Sequence, residues 1–332
     1  MKHAHYLIAL WIVAGSCSQL PSYTTITGFT MGTTYQITCR HNNIPPDSLL
    51  AGIEATLAHI DRSLSVYNDQ SIISKVNRNE PVAIDSFFRI VFTRSYEIYT
   101  ATNGAFDIAA SPLFNAWGFG FTQRETVTPT IIDSLQQFCG MQRVRIHGDR
   151  LIKDDPRVTL NANAIAKGFG VDAVATFLEQ SDIRHYIVEI GGEIRSKGQN
   201  RYGKPWRVGI DKPVEGAIFP GESLQAILQL SDKALATSGN YRRYYEENGT
   251  KYAHTINPAT GYPVSHTLLS ATIIASDCMT ADAYATAMMV IGLDSAKQFL
   301  NTHPELGAFL IYNDRDTFRS FHTNNIREMI NE

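Results

Sequence analysis

The 332-residue sequence predicts an α+β protein with two intimately associated subdomains. Three observations predict it. Helical periodicity dominates the first half, and short strand-like runs punctuated by glycines take over from His185. No repeat, low-complexity tract or Pro/Ser-rich linker divides the chain. With 44% hydrophobic and 18% charged residues, the chain has an ordinary globular composition and can bury a sizeable core. Its formal net charge of −3 offers no electrostatic case for a nucleic acid or an anionic membrane surface as partner.

The chain opens with Lys2, His3 and His5, an apolar run from Tyr6 to Ala14, and small residues ahead of Cys17. That run is too short to span a bilayer and has the length of a signal-peptide core. A cysteine directly after such residues resembles a bacterial lipobox, in which the cysteine becomes the lipidated first residue. A plain secretory signal is the alternative. The expected organisation is a lipoprotein signal peptide over residues 1–16, a tether over 17–22 and a domain over 23–332. A lipidated Cys17 anchors the protein to a membrane of the bacterial cell envelope, facing the periplasm. Cys39, Cys139 and Cys278 remain, an odd number without metal-site spacing, so they read as small buried side chains.

Tyr23 to Arg40 alternates well enough for a strand pair, with bends at Gly28 and Gly32. Asp47 to Leu64 reads as a helix: Leu50, Ile53, Leu57, Ile60 and Leu64 share one face, and Asp47 is its expected N-cap. A loop at Ser65–Asn68 follows, then a helix from Phe87 to Tyr99. Gly104 to Phe121, rich in glycine and aromatics, is expected to plug a core or wall a pocket for a flat ligand. Ile131 to Cys139 is a short helix. Arg157 to Leu160 reads as a strand, and Val171, Val174, Ala175 and Leu178 recur at helical spacing after it. From His185 the strands expected are Tyr186–Ile190, Glu193–Lys197, Trp206–Asp211, Leu224–Leu230, Ala234–Thr237, Tyr252–Ile256 and Leu268–Ser276. Helices Thr280–Ile291 and Ser295–Asn301 precede two closing strands, Phe309–Tyr312 and Thr317–Phe321.

Chemistry concentrates at a few points. Asn161 to Asp172 lies on a strand-to-helix junction, where the first N–H groups of a helix lack internal partners and carry the positive end of its dipole. Lys167 and Gly168 there suit a phosphate held against bare backbone, although neither the P-loop nor the dinucleotide glycine spacing is present. An ordinary βα turn with Lys167 solvated is the alternative. Asp282 and Thr286 stand at i and i+4, so a carboxylate and a hydroxyl share a helix face and suit Mg²⁺. Alone, the same pair also reads as a helix-dipole partner and a back-bonded threonine. Ser238 and Gly239 lie in a stretch resembling a turn that offers a hydroxyl and amides to an anion. His254 sits between a strand and the turn Asn257–Gly261, and Gly191-Gly192-Glu193 is a strand reversal or a close approach of backbone to a ligand.

Taken together, these segments closely resemble the ApbE family, the FAD:protein FMN transferases once described as thiamine-biosynthesis lipoproteins. The resemblance runs from about Phe29 to Gly292. It is carried by Met31-Gly32-Thr33-Thr34-Tyr35, Leu64 to Asn68, Gly104-Ala105-Phe106-Asp107, Ala164 to Asp172, Gly191-Gly192-Glu193, Thr237-Ser238-Gly239, His254 to Gly261, and Ala281-Asp282 to Thr286. It implies an ApbE-like, T-fold-like arrangement of mixed, mainly antiparallel sheets with packed helices. It further implies flavin contacts from Met31, Tyr67, Ala105, Phe106, Asp107, Asn161, Lys167 and Ile256, with Ser238 and Gly239 beside them. Magnesium is implied at the Ala164 carbonyl, the Asp282 carboxylate and the Thr286 hydroxyl. The implied reaction splits FAD with Mg²⁺ and transfers FMN to a Thr or Ser hydroxyl of a flavin-accepting target protein, such as a subunit of a membrane redox complex, releasing AMP. Catalytic roles fall to Lys167 and to His254 as the base. Hydrolysis of FAD to FMN and AMP, or flavin binding without turnover, are the rival readings. One departure stands out: Asn161 occupies a position where the family usually has Asp, so one negative charge is missing.

Overall fold

The computed structural model describes residues 22–40, 44–119, 127–214, 223–240, 244–247, 250–315 and 317–331. Cys17 and its flanks lie outside the described residues. The chain begins with the hairpin β1 (Tyr23–Thr30) and β2 (Thr33–Arg40), followed by helices α1 (Pro46–Leu64), α2 (Ile72–Asn77), α3 (Ser86–Ala101), α4 (Ser111–Ala116) and α5 (Pro129–Gln136). A small hairpin, β3 (Val144–His147) and β4 (Arg150–Lys153), precedes α6 (Ala166–Gln180). Strands β5 (Tyr186–Ile190), β6 (Glu193–Lys197), β7 (Trp206–Asp211), β8 (Leu224–Leu230) and β9 (Lys233–Gly239) follow. Then come β10 (Tyr244–Glu247), β11 (Thr250–Ala253), β12 (Ile256–Asn257), β13 (Tyr262–Pro263) and β14 (Leu268–Ala275). Helix α7 (Cys278–Thr302) leads to β15 (Gly307–Asp314), β16 (Thr317–His322) and β17 (Ile330–Asn331).

The strands β1-β2-β5-β6-β9-β14-β15-β16, in that order, form an eight-stranded sheet whose paired neighbours all run antiparallel. Because side chains alternate across a strand, each central strand feeds two cores. In β14, Ala271, Ile273 and Ala275 face the helical layer, where α1, α3, α6 and α7 complete the main core. Ile274 of the same strand joins Leu235, Phe309 and Ile311 under the small sheet β17-β8-β7, which supplies Val208, Ile210, Leu228 and Leu230. A third cluster gathers Leu113 and Trp117 of the α4 region with Ile132 and Ile256. The expected fold class, α+β with mainly antiparallel sheets and packed helices, is the one observed.

Several boundaries differ from the sequence reading, each for a local reason. Gly28 is no bend; it lies within β1, and the ring of its cross-strand partner Tyr35 sits 2.5 Å from where a Cβ would be. The reversal falls on Met31 and Gly32, both with positive φ. Pro45, not Asp47, caps α1; Asp47 lies in the first turn, where the helix dipole favours it. Thr237-Ser238-Gly239 continues β9 rather than turning, paired with Thr272, Ala271 and Ser270. The two expected C-terminal helices are one element broken at Gly292 (φ 77°, ψ 174°), and His266 Nε2 donates to the Met289 carbonyl next to the break at 2.7 Å. The expected strand Arg157–Leu160 is not one: Arg157 lies in a turn closed by the Val158 N–H on the Asp155 carbonyl at 3.1 Å, and the run pairs with no strand among the described residues.

Candidate functional site

Two helix starts, those of α6 and α7, meet in the buried interior. The carboxylate of Asp172, in α6, accepts the backbone N–H groups of Cys278 (3.0 Å) and Met279 (2.8 Å), so it caps α7 alongside that helix's own N-cap, Asp277. Asp282 returns the arrangement: its Oδ2 accepts the Gly168 N–H at 3.0 Å, in the first turn of α6, whose own N-cap Ile165 supplies no side-chain bond. The helices come this close because residue 168 is glycine. A Cβ there would stand 2.4 Å from the Cys278 carbonyl oxygen and 2.8 Å from the Asp282 Cβ. One turn beyond Asp282, the Thr286 hydroxyl lies 3.2 Å from the Ser238 hydroxyl at the end of β9.

Lys167 points from the same helix start to Glu193, at the beginning of β6, where the two form an ion pair. Burial works against the ammonium, but Glu193 first and Asp282 next hold it charged, well above the ordinary lysine value. Burial pushes the Glu193 carboxyl up, with Lys167 opposing it. Glu193 is 3% exposed, and its Oε2 is buried without a hydrogen-bond partner. A buried carboxylate oxygen in that condition is costly unless something else binds there. Lys167 is therefore not the solvated lysine of an ordinary βα turn.

The remaining expected residues lie on several other elements. Asn161 donates its N–H to the Ile108 carbonyl at 2.8 Å, and its Oδ1 accepts the Asn163 N–H at 2.9 Å. This Asx turn needs only an acceptor oxygen, so Asn at 161 does the structural work of Asp without its charge. Asn163 Nδ2 in turn donates to the Tyr67 hydroxyl at 3.2 Å, while the Tyr67 residue is 72% exposed. Met31 is tucked against α6, with its sulfur 3.2 Å from a Cβ built on Gly170.

Phe106 is 1% exposed and its ring belongs to the main core, beside the half-buried Ala105. Asp107 is also buried; its Oδ1 accepts the Ala109 N–H at 2.8 Å, and burial raises its pKa to about 7 against that bond and one from Met141. Ile256 is buried in the cluster with Trp117. His254 lies edge-on to Phe119, with ring centroids 6.3 Å apart. Its neighbour Thr255 donates to Asn240 Oδ1 at 2.7 Å, which ties the His254 segment to the end of β9 carrying Ser238. Lys167, Asp282, Thr286 and Ser238 thus converge, Asn161 and Tyr67 are linked through Asn163, and Phe106 and Asp107 are buried. Sequence reasoning missed Glu193 as the partner of Lys167, Asp172 as a cap, and Asn77 and Lys153, which bond to the backbone of the 156–160 segment.

A charged ammonium, a buried carboxylate, a hydroxyl and a helix N-terminus around one junction are the donor set of a phosphate-ester site. The comparisons give that class a family. The sequence matches the ApbE family over residues 31–310, and the chain belongs to that family. It is 35% identical to the FAD:protein FMN transferase of Vibrio cholerae, with 98% of each chain covered. It is 36% identical to the protein of the same name from Haemophilus influenzae, over 92% of this chain and 90% of the relative. The solved flavin transferase ApbE of Vibrio cholerae superposes with a TM-score of 0.84 at 34% identity, covering 93% of this chain and 99% of that one. The apo flavinyl transferase ApbE of Pseudomonas stutzeri gives 0.84 at 30% identity, covering 93% and 97%.

Proposed function

We propose that this chain is a transferase that splits FAD and moves FMN onto a Thr or Ser hydroxyl of an acceptor protein, releasing AMP. The observation that carries the reading is the α6–α7 junction, where Lys167, Asp282 and Thr286 surround an N-terminal helix turn in a chain of the ApbE family. The residues present fit a hard divalent cation. Asp282 offers a buried carboxylate, Thr286 a hydroxyl one turn away, and Glu193 a buried oxygen without a hydrogen-bond partner. Asp282, Thr286 and the Ala164 carbonyl would hold Mg²⁺. When bound, the ion neutralises charge on the pyrophosphate oxygens.

The protein's own groups supply positioning and charge, which phosphoryl transfer needs more than covalent help. Lys167 receives phosphate oxygens beside the α6 N-terminus, whose dipole favours their charge. Tyr67 and Asn161, with Met31 behind them, set the flavin end. The acceptor hydroxyl attacks the phosphorus on the FMN side; a new P–O bond forms, the bridging P–O bond breaks, and AMP leaves. His254 takes the hydroxyl proton, since histidine ordinarily titrates nearest neutrality. With Cys17 lipidated, the reaction takes place at a membrane surface of the cell envelope, where the acceptor belongs to a membrane redox complex.

Incubation with FAD, Mg²⁺ and a flavin-accepting domain, read by intact mass, tests the reading. An acceptor gaining the mass of FMN less one water, with stoichiometric AMP, supports it. Free FMN with an unmodified acceptor makes the chain a hydrolase, and intact FAD makes it a flavin carrier.

A further inference from the structure

The segment running into α6 poses a hydrogen-bonding problem. Val158, Leu160 and Ala162 are essentially fully buried, yet Arg157–Leu160 has no strand beside it among the described residues. Buried peptide groups must find partners somewhere. Here side chains take the place of a strand. Asn77, the last residue of α2, accepts the Leu160 N–H through Oδ1 at 2.8 Å and donates through Nδ2 to the Leu160 carbonyl at 2.8 Å. A carboxamide has the donor and acceptor of a peptide group, so this pair reproduces one bridge of a β ladder.

Two further groups extend the clamp. Lys153 Nζ donates to the carbonyls of Val158 (2.8 Å), Val76 (3.1 Å) and Pro156 (3.2 Å), and Asn79 Nδ2 donates to Pro156 at 3.1 Å. Opposite them, the Asn161 N–H is held by the Ile108 carbonyl. Helix α2 is itself fixed to the Tyr67 loop, because Ser71 Oγ donates to the Ser65 carbonyl at 2.6 Å. Leu160 directly precedes Asn161, lies four residues before Ala164 and seven before Lys167. The register of that short run therefore decides where all three present themselves.

We propose that Asn77 is a positioning residue for flavin transfer: by clamping the Leu160 backbone it sets the register of residues 160–164 and couples the Tyr67 loop to the α6 start. This inference rests on the function proposed above. Asn77 touches no substrate in this role; it acts through Leu160. The role needs donor and acceptor on one planar group. Aspartate keeps the acceptor for the Leu160 N–H but sets a carboxylate oxygen against the Leu160 carbonyl, and leucine keeps the volume with neither function.

The test compares Asn77→Asp and Asn77→Leu with Ile326→Val, a control in the core cluster under the small sheet β17-β8-β7, which no α2 residue joins, that lowers stability without touching this segment. Amide hydrogen exchange of residues 160–164 without ligand, FAD affinity, and kcat and KM for transfer are measured on each. For Asn77→Asp, exchange at Leu160 and Asn161 should quicken at least tenfold and FAD affinity fall at least tenfold. At saturating FAD, kcat should fall at least thirtyfold, with a higher half-saturating Mg²⁺ concentration and an acceptor KM within twofold of wild type. Should the Asn77 variants fail to fold, Lys153→Met, which frees Val158 two residues upstream, should give the same pattern at three- to tenfold. Unchanged exchange, or faster exchange with kcat and Mg²⁺ dependence matching Ile326→Val, would overturn the proposal. If wild type transfers no flavin at all, the function reading fails, while exchange and FAD affinity still decide the role of Asn77.

Discussion

Replacing Gly168 by alanine tests the junction directly, because every consequence can be worked from the structure. The added Cβ would lie 2.4 Å from the Cys278 carbonyl oxygen and 2.8 Å from the Asp282 Cβ. Neither is the flexible end of a side chain, so α6 and α7 must separate by roughly an ångström, an overpacking cost of about 1–3 kcal/mol. Separation also weakens the charge-assisted bond from Gly168 N–H to Asp282, worth about 1.5–3 kcal/mol. Alanine's better helix propensity returns only about 1 kcal/mol. The net loss is about 2–4 kcal/mol, by the same overpacking and hydrogen-bond magnitudes. Gly170→Ala, two residues on, is tight only against the Met31 sulfur at 3.2 Å, a side chain that can give, with Ile190 and Ile60 in ordinary contact at 3.5 and 3.6 Å. Thermal melts and transfer assays on both variants provide the comparison. Gly168→Ala should melt clearly lower and lose most transfer even well below its midpoint, while Gly170→Ala stays near wild type in stability. Wild-type transfer in Gly168→Ala would show that the close α6–α7 approach does not set the site.

Three further outcomes follow from single residues. The pKa of Asp107 is raised by burial to about 7 in the folded state, so between about pH 4 and 7 the folded protein binds the proton that the unfolded chain has released. Stability from this group is thus present at low pH and lost as pH rises through 7; Asp107→Asn, which keeps an acceptor for Ala109, should raise the melting temperature at pH 8 and barely change it at pH 4. An equal change at both values would remove burial of a charge as the cause. Tyr67→Ala should weaken FAD binding by about 1–3 kcal/mol, as for other aromatic stacks, with an unchanged melt because the residue is 72% exposed. A sharp drop in melting temperature with intact affinity would make Tyr67 structural instead. Cys17→Ala should release the protein from detergent-phase membrane fractions, and unchanged partitioning would remove the lipidation reading.

What was legible in the sequence was periodic or local. Asp282 and Thr286 were visible as an i, i+4 pair, and Lys167 as a lysine at a helix start, because both depend on neighbours within one turn. Glu193 was visible only as a strand reversal, since its partner Lys167 is 26 residues away and the sheet brings them together. Arg157–Leu160 gave a strand signal for a sound reason: Val158 and Leu160 are buried alternately, as in a strand. Its partner is the Asn77 side chain, 83 residues distant, at the end of a six-residue helix too short to display a period. Phe106 and Tyr67 looked alike as loop aromatics; one is sealed in the core and the other lies open, a distinction that only packing makes. The displaced boundaries, Pro45 for Asp47 and Gly239 for Thr237, are errors of a residue or two at element ends, where local signals are weakest.

The most direct test of the junction as a cation-assisted phosphate site is transfer by Asp282→Asn across a Mg²⁺ titration at saturating FAD. Asparagine can still accept the Gly168 N–H, so the fold should keep a near-native melt. Transfer should fall by most of its value at ordinary Mg²⁺ and recover in part at high Mg²⁺, because mass action offsets weakened binding. Wild-type transfer at ordinary Mg²⁺ would place the ion elsewhere and contradict the assignment.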